Sequence, residues 1–231
     1  MDFGRAFTFL TEDSNWIVKL AIGAGIVLIS PFLLLIPLFL ILGYQVAVTR
    51  QVLAGKDVPL PEWFDELGRL FKDGFFVWIA QIAYTIPFWL LACIGVAASF
   101  AFGFIGDQGA GEVAGIGLVA VYAVLSCLGI IFLIALFFIS PAIIIQYVQT
   151  DDFGACFRFG EVLGIARDNV GPILMSALAL FVVSFLLSFV QLIPCIGQIV
   201  GLFTVPYMGI ATGHLYGQIA RNMGSKPAGA Y

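Results

Sequence analysis

Hydrophobic positions in this chain gather into long runs without charge, and polar positions are confined to the gaps between them. The longest run, Asn169 to Ala220, holds about 50 residues with no Lys, Arg, Asp or Glu, whereas one helix crosses a 30 Å hydrocarbon core with roughly 20. It must therefore fold back once, and Ile193, Pro194, Cys195, Ile196 and Gly197 mark the turn. Leu118 to Val148 and Gly74 to Ile105 are two further runs long enough to span, carrying Pro141 and Pro87 respectively. A Gly/Ala-rich loop, Gly106 to Gly117, is predicted between them.

The first run, Leu20 to Thr49, contains Pro31, Pro37 and Gly43 and admits two forms. One is a single long helix, tilted and kinked by proline. The other is a broken hairpin that bends between Ser30 and Pro37, with two short arms. Either form needs packing partners, because proline frees carbonyls that lipid does not satisfy.

Two polar connections carry an amphipathic pattern. In Arg50 to Asp73, Trp63, Phe64, Leu67, Leu70 and Phe71 recur at helical spacing opposite Glu62, Asp65, Glu66, Arg69 and Lys72, predicting an interfacial helix anchored by its apolar face. In Asp151 to Asp168, Asp151, Arg158, Glu161 and Asp168 oppose Cys156, Phe159 and Leu163. The expected fold is therefore all-α: a polytopic helical membrane protein with about six membrane segments, the first two short or one broken helix, and two interfacial helices. The chain reads as a single membrane domain over 1–231, with a short interfacial lead-in at Met1 to Ser14 and a mobile tail at 221–231.

Composition agrees with that pattern. The chain is 61% hydrophobic and 10% charged, against about 25% charged in soluble domains, so lipid is the expected solvent. A net charge of −4 gives no electrostatic case for nucleic acid. Glu12 and Asp13 precede the first apolar run where a cleavable leader would be basic. The cations orient the chain. With six segments, all ten Lys and Arg fall on one face, which places both termini and both charged connections in the cytoplasm. With five, Arg5 and Lys19 would be stranded on the other side.

An internal repeat is expected over 20–105 and 118–192. Phe64-x-Glu66-Leu67-x-x-Leu70-x-Lys72-Asp73-Gly74 aligns without gaps to Phe159-x-Glu161-Val162-x-x-Ile165-x-Arg167-Asp168-Asn169, and an Ile-Ser-Pro triplet precedes each copy. The final helix, 197–220, carries Gly197, Gly201, Gly209, Gly213 and Gly217 on a four-residue grid, a seam for close helix approach within the chain, to another subunit or to a second copy.

Asp13-Ser14-Asn15-Trp16, Lys19, Ile22-Gly23, Ile36-Pro37, Gly43-Tyr44, Arg50 and Ala54-Gly55 follow one another in a distinctive order. Leu60-Pro61-Glu62-Trp63, Leu70-Phe71-x-Asp73-Gly74, Leu192-Ile193-Pro194 and Leu215-Tyr216-Gly217 continue it. In these residues the chain resembles a family of prokaryotic polytopic membrane proteins catalogued only as domain of unknown function 4013. The resemblance implies a membrane fold of the prokaryotic cytoplasmic (inner) membrane and brings no active site.

Candidate chemistry is sparse. There is no H-E-x-x-H, G-x-S-x-G or Walker loop, and the four cysteines have no metal-type spacing. His214 is the one candidate cofactor ligand, for haem or a chlorophyll-type pigment, against the plainer reading of a hydrogen-bonded packing residue. The leading expectation is a non-catalytic accessory, scaffolding or assembly subunit acting through helix packing, with the bilayer and other membrane subunits or itself as partners. The alternatives are a carrier or channel for a neutral or lipid-like solute, and a pigment- or haem-binding subunit.

Overall fold

A computed structural model describes residues 1–56, 58 and 60–224, excluding the side chains of Gln108 and Ala110. The tail expected from Arg221 onward is helical to Gly224, and its remainder lies outside the described residues. Eight α-helices and no strand occur among the described residues: α1 (Phe3–Thr8), α2 (Trp16–Ile29), α3 (Leu38–Leu53), α4 (Leu67–Ile105), α5 (Gly111–Thr150), α6 (Phe159–Asp168), α7 (Val170–Gln191) and α8 (Ile196–Gly224). Among the described residues, five helical stretches are long and apolar enough to cross a membrane: Trp16–Leu33, α4, α5, α7 and α8. α3 is a shorter apolar helix.

The first apolar run takes the hairpin form. A 3₁₀ turn over Ser30–Leu33 ends α2, and Leu34 and Leu35 adopt left-handed φ of 53° and 63° before α3 begins. Of the two surface helices expected, the second is found as α6. Its buried face is Val162, Ile165 and Ala166, while Phe159 and Leu163 are exposed and Cys156 is buried in the preceding 3₁₀ turn. The first is not a separate helix. Residues 60–66 form an irregular connection, and the helix that starts at Leu67 continues without a break to Ile105. The expected Gly/Ala-rich loop is shorter than 106–117: a five-residue π turn, Gly106–Ala110, joins α4 to α5, with Gly109 at φ 90°.

The chain divides into two compact units, residues 1–80 with 141–231, and residues 81–140. In the first, α8 is central and packs on α2, α3 and α7. Glycine sets how close these helices come. A Cβ on Gly213 would meet the carbonyl of Gln45 and the side chain of Val48, and one on Gly217 would meet Val52 and the carbonyl of Thr49. Gly209 faces Ile41, so α3 and α8 run parallel. These three glycines of the seam are filled by α3 of the same chain. Gly197 sits against the Gln191 carbonyl in the α7–α8 turn, and Gly201 lies beside the Gln191 side chain. The tightest crossing has no part in that grid. A Cβ on Gly43 would collide with the carbonyl oxygen of Leu70, and one on Gly74 with that of Phe39.

The second unit is an antiparallel hairpin of the later part of α4 and the earlier part of α5. Gln81 Nε2 donates to Ser140 Oγ at 3.2 Å, the Phe88 and Phe132 rings are 6.2 Å apart, and Ser99 and Tyr122 hydroxyls meet at 2.7 Å.

Candidate functional site

Polar side chains in the first unit are drawn into three clusters where helices begin or end. The first is built on Lys19, buried near the start of α2. Its ammonium donates to Asp13 Oδ2 at 3.0 Å and the Leu60 carbonyl at 2.7 Å, and pairs with Glu62 Oε1 at 2.7 Å. Three acceptors match its three protons, which is what a buried ammonium requires. Asp13 is as fully engaged: Oδ1 accepts from the Asn15 amide and Oδ2 from the Leu60 amide, both at 2.7 Å. Burial pushes the Asp13 carboxyl up, but the Asn15 amide, the Lys19 ammonium and the Leu60 amide outweigh it and hold it below the ordinary value.

Trp63 closes this cluster. Its indole stacks on Tyr44 at 4.1 Å and 16°, Nε1 donates to the Lys19 carbonyl at 2.9 Å, and Tyr44 Oη donates to the Pro61 carbonyl at 2.8 Å. The five residues expected to anchor an interfacial helix are thus divided. Trp63 and Leu70 are buried in the core, whereas Phe64, Leu67 and Phe71 are exposed. The periodicity that joined them continues across the irregular residues 63–66, where no helix exists to make it a face.

The second cluster joins α3, α4 and α5 at their polar ends. Asp73 is 1% exposed; its Oδ2 accepts from Arg50 Nη1 at 2.9 Å and its Oδ1 from Tyr147 Oη at 2.7 Å. Arg50 Nη2 donates to Asp151 Oδ1 at 2.7 Å, and Arg69 stands 3.9 Å from both carboxylates. Nearby, Gln146 Nε2 donates to Glu161 Oε2 at 2.6 Å. Burial and then Asp152 raise the Cys156 thiol to about 11, which leaves it unreactive.

His214 belongs to the third cluster. It is buried, stacked on Phe9 at 4.2 Å, with Nδ1 3.0 Å from Gln218 Nε2. Gln218 grips the backbone of Asp2 from both sides: Oε1 accepts from its N–H at 2.8 Å, and Nε2 donates to its carbonyl at 2.9 Å. A polar cleft of about 230 Å³ lies there, lined by Asp2, Arg5, His214, Gln218, Arg221 and Asn222 among others. No group of three or more His, Cys, Asp or Glu with metal-binding proximity occurs among the described residues.

Sequence reasoning did not anticipate the first two clusters as sites. Their signal was present in the quoted motifs, since Asp13, Lys19, Tyr44, Arg50, Glu62, Trp63 and Asp73 all carry the resemblance and all meet here.

Long apolar helices with their charged side chains near helix ends define an all-helical polytopic membrane protein. The chain belongs to the family described as "Protein of unknown function (DUF4013)", which matches residues 26–196. Neither a curated protein nor a solved structure matches it.

Proposed function

We propose that the protein is a non-catalytic subunit of the prokaryotic cytoplasmic membrane, with both termini and the charged connections inside, that assembles or supports other membrane proteins by helix packing. The observation that carries this reading is a slot on the hairpin of residues 81–140. It encloses about 400 Å³ and is apolar and open, with Ala92, Gly95, Ser126 and Gly129 among its lining and Phe88 and Tyr122 beside them. In lipid, where burying apolar surface gives little drive, small residues that admit a second backbone are what let helices associate. The non-catalytic part is supported by the ionised groups of the first two clusters, which are engaged with one another in mutual pairs.

The same slot favours one second reading. Its volume lies within the roughly 300–1,000 Å³ of small-molecule pockets, so a lipid-like solute would fit it, as in a carrier. The haem or pigment reading has less support, because the cleft at His214 falls below that range.

Extraction into mild detergent followed by native mass measurement tests the proposal, with Ala92→Leu and Gly129→Leu as slot-filling variants. A co-purifying membrane protein that both variants shed supports the subunit reading. A bound lipid shed by the variants supports the carrier, and a solitary, lipid-free particle overturns both.

A further inference from the structure

The hairpin of α2 and α3 cannot cross twice: Trp16–Leu33 is long enough only with its 3₁₀ turn counted, and α3 is too short. Its arms have 14 and 16 residues, about 21 and 24 Å at 1.5 Å per residue, against a hydrocarbon core of about 30 Å. Both arms are pinned at the polar end. Lys19 pairs with Glu62, which is half exposed, and Arg50 pairs with the exposed Asp151. From Lys19 to the end of α2 is ten residues, about 15 Å, and from Arg50 back to the start of α3 is twelve, about 18 Å, so both α-helical arms end well short of a 30 Å core when those ion pairs sit at the headgroups. α8 provides an independent ruler. Beyond the contact of Pro206 with the position of Gly23, α8 runs ten residues, about 15 Å, back to Ile196 while α2 has six, about 9 Å, to Ile29; beyond Gly209, which faces Ile41, α8 runs thirteen, about 20 Å, while α3 has three, about 5 Å, to Leu38.

The tip itself is made for hydrocarbon. Nothing polar occurs from Pro31 to Ile41, and Phe32 and Leu34 are 82% and 85% exposed. A turn in water uses Gly, Asn or Asp at left-handed φ; here both such positions are Leu. Its backbone donors are satisfied without water. The amides of Leu34 and Leu35 donate to the Ser30 carbonyl, those of Ile36 and Leu38 to the carbonyls of Leu33 and Leu35, and Pro31 and Pro37 have none to satisfy. Ser30 Oγ donates to the Ile26 carbonyl at 2.6 Å. Internal satisfaction is what a turn within lipid requires.

We infer that α2 and α3 form a re-entrant hairpin, which enters and leaves the bilayer on the charged face and whose tip contacts lipid acyl chains. The opposite face is reached by the α7–α8 turn and not by this tip.

Single-cysteine chains in vesicles test it. With Cys93, Cys127, Cys156 and Cys195 replaced, Leu34→Cys is compared with a chain keeping only Cys195, which is exposed in the α7–α8 turn. A membrane-impermeant maleimide is added to each face separately, Lys72 lysine chemistry marking the charged one. Cys195 is expected to react from the face opposite Lys72. Leu34→Cys is expected to react at least about tenfold more slowly from either face, because the thiolate does not form in hydrocarbon, and normally after solubilisation in denaturing detergent. A nitroxide on Leu34→Cys should be relaxed by oxygen and not by a water-soluble nickel chelate, which separates contact with lipid from shielding by protein. Labelling of Leu34→Cys from either face at the rate of Cys195, relaxation by nickel, or relaxation by neither agent overturns the inference. Phe32→Cys repeats the test should Leu34→Cys not accumulate.

Discussion

The hydroxyl of Tyr147 donates to the carboxylate of Asp73 at 2.7 Å, joining positions 74 residues apart in sequence. The other oxygen of that carboxylate holds Arg50, so one buried group ties the end of α5 and the end of α3 to the start of α4. A buried ion pair adds little net stability when intact, but removing one partner strands the other.

Asp73→Ala should therefore destabilise strongly, by about 3–5 kcal/mol, because it removes the Arg50 ion pair and leaves the buried Tyr147 hydroxyl without its acceptor at once, even though Arg50 keeps Asp151. Tyr147→Phe removes a single hydrogen bond to a charged group and should cost about 1.5–3 kcal/mol. Thermal unfolding in a mild detergent, read as loss of monodispersity, checks the order. Equal losses would show that Asp73 acts through Tyr147 alone.

Gly43 and Gly74 make the second prediction. Their missing side chains admit the backbone of the facing helix, and a carbonyl on a rigid helix cannot step aside as a side-chain tip does. Gly43→Ala and Gly74→Ala should each cost about 3 kcal/mol or more by overpacking. Gly25→Ala and Gly103→Ala, where an added Cβ meets nothing within 4 Å, should be neutral or slightly stabilising through helix propensity. The same thermal assay separates the pairs, and similar losses at all four positions would refute the argument.

Burial in lipid is what made the spans legible. A charge-free run reports its solvent directly, so α5, α7 and α8 follow from the pattern alone, and Pro31 with Pro37 located the first turn. What failed was the inference from periodicity at Trp63. Spacing in sequence becomes a face only if a helix exists there, and the Tyr44 ring and the Lys19 carbonyl, both distant in sequence, draw Trp63 inward. The glycine grid showed that α8 packs closely but could not name its neighbour, which at Gly209, Gly213 and Gly217 is α3. Gly43 and Gly74, outside any grid, gave no periodic signal at all. The aligned repeat positions agree at one pair and differ at another: Leu70 and Ile165 are both buried, whereas Asp73 is buried and Asp168 exposed.

Acid should loosen the Asp13 cluster in a defined direction. The native carboxyl is held below its ordinary value of 3.8, so its ionised form stabilises the fold fully above pH 3.8. That contribution is lost as pH falls below 3.8 through the depressed native value. Asp13→Asn should be less stable at neutral pH by about 3 kcal/mol, since Lys19 keeps a buried charge with one carboxylate fewer. It should also lose less stability than the parent between about pH 4 and 3. Acid titration of detergent-resistant folding compares the two, and parallel curves would show that Asp13 does not carry the dependence.

Gln218 offers the sharpest test of how the N-terminal segment is held. Its side-chain amide makes two hydrogen bonds to the backbone of Asp2, and its Nε2 lies against His214 Nδ1, whose ring in turn stacks on Phe9. Gln218→Leu leaves both Asp2 groups without that clamp. At about 1 kcal/mol for each bond, the open population of residues 1–12 should rise about thirtyfold. Proteolysis tracks that population when closing is fast, so cleavage within α1 should accelerate to the same degree while the membrane helices stay intact. His214→Ala should act in the same direction by removing the ring beneath Phe9, and should leave the visible absorption spectrum unchanged. A band present in the parent and absent from His214→Ala would instead assign this cluster to a chromophore. Unaltered cleavage in both variants would show that Phe9 and Leu10, buried in the core, hold the segment without help from α8's polar groups.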